Sequence, residues 1–152
     1  MIVGMTGTQS AHADTGDAAT LELMLEPDAH APGVARVAVA ELSDAHDEHG
    51  PHISEARSQE LLLLVSEIVT NAVRHTEDPT VRLTLTAEIT DDAAHVAITD
   101  SGHGFGEERK HHAGGYGLFL LEKLASRWSV EPVGARASGT RVWFELPLRS
   151  RG

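Results

Sequence analysis

Glu67 and Asn71 stand four residues apart in the stretch SEIVTNAVRHT, residues 66–76, just after the apolar run Leu61 to Val65. On a helix, a carboxylate and an amide at that spacing leave the same face. Counted at about 100° per residue, that face lies well away from the stripe formed by Leu61, Val65, Ile68, Val69 and Ala72. Arg74 and His75 flank it. Two chemistries suit such a pair. Its oxygens can hold a hydrated hard cation such as Mg2+, or the Glu can take a proton from a nucleophile. A solvated polar face on an amphipathic helix explains the same two residues.

Three further stretches carry residues with chemical potential. In TDSGHGFGEE, a strand delivers Asp100, and Gly102, Gly104 and Gly106 follow at alternate positions. An Asp at a strand end can accept from an exocyclic amine, and glycines beside it let a flat ring approach the backbone. A Gly-rich surface turn has the same composition. In HHAGGYGLFLLEKL, Gly114, Gly115 and Gly117 lead into an amphipathic helix, whose first N–H groups and dipole favour a phosphate; a hinge before an ordinary helix is the plainer reading. No G-K-[ST] follows, so this is not a Walker A loop, and no strand directly precedes it, so it is not a dinucleotide fingerprint. In SGTRVWFELPL, Gly139 and Thr140 open a strand. The ten histidines include His46, His49 and His52, spaced by three, and the adjacent His111 and His112. No regular element fixes their geometry, so they read as polar loop residues rather than a zinc site.

The elements that would position these residues follow from periodicity. Leu21, Leu23 and Leu25 alternate with polar residues as a half-buried strand does. Pro27 and Pro32 end it, and Pro32 suits the first turn of a helix with Val34, Val37, Ala38 and Leu42 on its stripe. Residues 43–52 are polar and predict a loop. Residues 55–75 give the strongest helix pattern. Residues 81–89 alternate without fault, Asp91-Asp92 supplies a turn, and 95–100 returns as the second strand of a hairpin. A Gly- and His-rich loop over 101–115, a helix over 117–128 with Phe119, Leu120, Leu121 and Leu124 on its apolar face, and short strands near 128–133 and 140–148 complete the chain. Trp128, Trp143 and Phe144 read as core or edge packing. The order predicts an α+β two-layer sandwich, with helices on one face of a mostly antiparallel sheet. A disordered leader is expected over 1–19, one domain over 20–148 and a tail over 149–152.

Bulk properties narrow the classes. The 152 residues favour one domain, and the absence of cysteine excludes disulfides, thiolate catalysis and Cys-zinc sites. Twenty-three acids against 12 bases give a net charge of −11, unlike the basic faces that bind nucleic acid. No stretch approaches the ~20 apolar residues of a membrane span. No basic-then-apolar secretory signal opens the chain, so a cytoplasmic protein is expected.

Taken in order, E-x-x-x-N, D-x-G-x-G, G-x-G before a helix and G-T before a last strand are more specific than any one of them. Over about residues 20–148 the chain resembles the GHKL (Bergerat-fold) ATPase superfamily. LLVSEIVTNAVRHT and GGYGLFLLEKLASRWSV look most like the bacterial anti-sigma-factor serine/threonine kinases and related small ATP-binding regulators. The resemblance implies ATP and Mg2+ as ligands. It implies that Asn71 coordinates Mg2+ and that Glu67 is the general base. It places the adenine amine on Asp100 and the adenine pocket at Gly102 and Gly104. Gly115, Tyr116, Gly117 and Leu118 would belong to the lid and the phosphate-facing helix start, and Thr140 would support adenine through water. Histidine kinases of the superfamily usually carry Asn where this chain has Glu67, and gyrase-like members are far longer.

Three readings follow from the resemblance. The first is a serine/threonine kinase that phosphorylates a small antagonist protein and regulates a sigma factor by binding it, with those two proteins as partners and the oligomeric state, a homodimer included, left open. The second is a non-catalytic ATP-sensing interaction module of the same fold. The third is a stand-alone relative of the histidine-kinase ATP domain, which Glu67 disfavours.

Overall fold

The alternation of Leu21, Leu23 and Leu25 is realised in a strand whose inward residues pack row upon row with those of its neighbours. The computed structural model describes residues 12–13, 18–76, 78–101, 118–134 and 139–149. In chain order the elements are β1 (His12–Ala13), β2 (Ala19–Leu25), α1 (Ala31–Asp47), α2 (Glu55–His75), β3 (Leu83–Ile89), β4 (Ala93–Asp100), α3 (Leu118–Leu124), β5 (Arg127–Val133) and β6 (Gly139–Pro147). The strands form one sheet of order β1-β2-β3-β4-β6-β5, and every neighbouring pair is antiparallel. The two residues of β1 fall inside the expected leader and pair with Ala19 and Thr20.

The register lines up the core. Leu23, Leu85, Ile98 and Val142 form one cross-strand row; Leu21, Ala87, Val96 and Phe144 form the next. Of these, all but Val142 are buried, and Val142 packs against them. Burying one such Leu or Phe contributes roughly 1.5–3 kcal/mol. α1 lies on β2 and β3, α2 on β4 and β6, and α3 on α2 and β5. Thus the expected α+β two-layer sandwich is the observed one.

Helix α2 follows its pattern closely. Ser54 caps it, its Oγ accepting the Arg57 N–H at 3.1 Å, and Arg74 and His75 sit in the last turn, where positive charge suits the dipole. Leu61, Leu64, Val65, Ile68 and Val69 are buried; Leu63 is not.

Two helices differ from their sequence readings. α1 continues through Asp47, where a loop from residue 43 is expected. Polar composition hides the reason: Ser43 and His46 extend the buried stripe of Ala31, Ala35, Ala38, Val39 and Leu42. Val37, expected on that stripe, faces solvent. α3 stops at Leu124 instead of running to Trp128, because Arg127 and Trp128 pair with Glu145 and Phe144 as strand residues. Leu118 and Leu121 carry its buried side, whereas Phe119 is 67% exposed. Strand β3 begins at Leu83 rather than residue 81, although Val81 is still buried.

His46 is not a loop residue. It lies in α1, 5% exposed, and its Nε2 meets Asp91 Oδ1 at 3.1 Å. The contact ties the end of α1 to the β3–β4 turn. His52 Nδ1 lies 3.3 Å from Asp47 Oδ2. Among the described residues no group of three His, Asp or Glu side chains is arranged to hold a metal.

On the sheet face away from the helices, Trp143 stacks on His95 with centroids 5.1 Å apart, and its Nε1–H donates to Glu131 at 3.0 Å. The Arg127 guanidinium lies 6.0 Å from the Trp143 ring and donates to Glu145 at 2.9 Å. That hydrogen bond, and the carboxylate's charge, raise the Arg127 pKa above its usual value. Among the described residues no helix is long and apolar enough to cross a membrane.

Candidate functional site

Side chains on a strand alternate between faces, so Ala94, Val96, Ile98 and Asp100 of β4 point the same way. Ala94, Val96 and Ile98 belong to the core. Asp100, the last of them, is 4% exposed. Its cross-strand partners are Leu83 on β3 and Thr140 on β6, and Leu83 in turn pairs with Leu25. A carboxylate thus closes a row that begins with two buried leucines. Burying a charge is costly unless something compensates it, which marks Asp100 as a position where core packing is not the purpose.

Thr140 faces Asp100 directly because β4 and β6 run antiparallel in that register. These two residues come from motifs far apart in sequence, and strand pairing alone brings them together. Beside Thr140 stands Gly139, which is buried. A methyl group placed there would overlap the carbonyl oxygen of Asp100 and lie 2.9 Å from the Ser101 carbonyl carbon.

Glu67 and Asn71 come from α2, the helix that lies over β4 and β6. They differ in environment. Glu67 is half-buried, but Asn71 is only 7% exposed. The expectation that both lie well away from the core stripe therefore fails for Asn71. It follows Ile68 by three residues, about 60° around the helix, and so falls inside a stripe broader than the one traced from aliphatic residues alone. Leu118 opens α3, buried, next to α2. Gly102, Gly104, Gly115, Tyr116 and Gly117 lie outside the described residues, as do Arg109, Lys110, His111 and His112.

The donor set fits an adenine nucleotide with a hard cation. The Asp100 carboxylate can accept from an exocyclic amine, Thr140 supplies a hydroxyl beside it, and Asn71 and Glu67 carry the oxygen ligands that Mg2+ prefers. In sequence Gly139 reads as a strand opener and as the Gly of the G-T motif; its close approach to Asp100 and Ser101 leaves no further signal there.

Helices laid over one face of an antiparallel sheet, with a buried acid at a strand end, make this a two-layer α+β domain. The family model of the histidine kinase-like ATPase domain matches residues 26–146, and the chain belongs to that family. ATP is therefore the nucleotide its domain is built to bind. A solved structure with the same fold contains the RsbU and RsbW domains of Rv1364c from Mycobacterium tuberculosis; it is 19% identical, with a TM-score of 0.62, over 87% of this chain. The present chain spans 34% of that longer one. No curated protein gives a significant match.

Proposed function

We propose that the chain is an ATP-dependent serine/threonine protein kinase of the anti-sigma-factor type. It phosphorylates a small antagonist protein and regulates a sigma factor by binding it. The observation that carries this reading is the pairing of Asp100 with Thr140 at the edge of the core, under a helix that presents both a buried amide and a half-exposed carboxylate. An adenine site alone needs only the first pair. Glu67 is the surplus group, and a kinase has a use for it. Likeness to a structure that includes an RsbW domain supports the same class.

In this reading Mg-ATP supplies the γ-phosphoryl group. Asp100 accepts from the adenine amine, Thr140 steadies that edge, and Asn71 would hold the cation with Glu67 near it. Glu67 takes the proton of a serine or threonine hydroxyl as the hydroxyl oxygen bonds to the γ-phosphorus. The bond to the β-γ bridging oxygen breaks, and ADP leaves with that electron pair. Positioning and charge compensation supply most of the acceleration in phosphoryl transfer, while a positioned base contributes roughly 10²- to 10⁴-fold.

Incubation with γ-labelled ATP and small proteins encoded beside this chain tests the proposal. Label is expected on a serine or threonine of one of them, and Glu67→Gln should abolish most of it. Absence of transfer to every partner, with ATP still altering partner affinity, would leave a non-catalytic ATP-responsive module instead.

A further inference from the structure

In a regular antiparallel ladder, facing α-carbons stay about 4.5–5.5 Å apart and side chains stand off the sheet. A β-carbon therefore meets no partner backbone. At the mouth of the β4/β6 ladder this separation is lost. Thr140 pairs with Asp100, and the chain leaving Asp100 folds over the α-carbon of Gly139. A β-carbon at residue 139 would overlap the Asp100 carbonyl oxygen and stand 2.9 Å and 3.0 Å from the Ser101 carbon and oxygen. All three obstacles are backbone atoms, so no side-chain rotation relieves them.

We infer that Gly139 is a positioning residue for adenine selection: its missing side chain lets the end of β4 close onto β6, and that closure sets the direction of the Asp100 carboxylate. The inference rests on the reading of Asp100 as the acceptor for the adenine amine. Gly139 itself touches no base. It acts through the backbone of Asp100 and Ser101: relieving the overlap of a β-carbon with the Asp100 carbonyl needs a shift of about an ångström, enough to turn the carboxylate out of hydrogen-bond geometry. Its neighbours on β5 and β6 hold it in place from the other side, since Gly139 pairs with Val133 and Thr140 with Pro132.

The test compares ATP with inosine triphosphate, in which a carbonyl oxygen replaces the exocyclic amine, by calorimetry on the full chain. The wild type should prefer ATP by roughly 10- to 100-fold, the range of a charge-assisted hydrogen bond. In Gly139→Ala the preference should fall below about threefold, while circular dichroism still reports a folded protein. Gly50→Ala is the control for crowding alone. A methyl there would sit 2.9 Å from His46 Nε2 and 3.0 Å from Asp91 Oδ1, so it should lower the melting temperature but keep the ATP preference. If Gly139→Ala does not fold, Ser101→Gly is added to let that backbone shift, with Ser101→Gly alone as the reference; loss of preference in the folded double variant but not in Ser101→Gly supports the inference. Retention of the preference in folded Gly139→Ala, or in the double variant, overturns it. A wild type without any ATP preference, unchanged by Asp100→Asn, overturns the adenine reading and this inference with it.

Discussion

Replacing Asp100 by Asn changes almost no volume but removes a charge from a site that is 4% exposed. In the proposed adenine site, the charge-assisted hydrogen bond from the exocyclic amine to Asp100 would be lost. The new amide also turns a donor toward a donor whenever its N–H2 occupies the former acceptor position. Together these cost roughly 2–4 kcal/mol. At about 1.4 kcal/mol per decade, the dissociation constant for ATP should rise about 30- to 800-fold. Calorimetry with saturating Mg2+ measures it, and a thermal melt on the same samples separates lost binding from lost folding. Equal ATP affinity in a folded Asp100→Asn protein would remove Asp100 from the nucleotide site.

Three other substitutions divide the remaining assignments. Glu67→Gln should reduce phosphoryl transfer by roughly 10²- to 10⁴-fold, the usual effect of a positioned base, with ATP affinity nearly unchanged; steady-state transfer assays and calorimetry read the two separately. Asn71→Ala should weaken ATP binding in Mg2+ more than in EDTA, since it deletes an oxygen ligand suited to that cation, and titrations in the two buffers give the difference. Phe144→Ala, at a fully buried residue of β6, should destabilise the fold by about 3–5 kcal/mol, visible as a lower denaturant midpoint with an unchanged slope.

Legibility of the fold varied with the range of the forces involved. The β3–β4 hairpin was readable because period-two alternation on Leu83, Leu85, Ala87 and Ile89 and the Asp91-Asp92 turn are both local. The core of α2 was readable for the same reason. The end of α1 was not, because Ser43 and His46 are polar yet inward, and His46 meets Asp91 only across the fold. Trp128 looked helical by pattern, but pairing with Phe144 outweighed propensity. Phe119 suited an apolar face by spacing and points outward instead, with the Lys123 ammonium 5.0 Å from its ring. At the site, the types and spacing of Glu67 and Asn71 could be read directly, but the burial of Asn71 could not. The Asp100–Thr140 pairing was out of reach of any spacing argument, since it is created by a long-range strand register.

That pairing has an evolutionary consequence. The chain between Asp100 and Thr140 is held by more than its two ends, since β5 pairs with β6 along its length and Leu118 and Leu121 of α3 are buried. Descendants of such a chain can vary outward positions of α3 such as Phe119 and Glu122 at small cost, whereas changes at Leu118 or Leu121 would loosen the packing behind both strand ends.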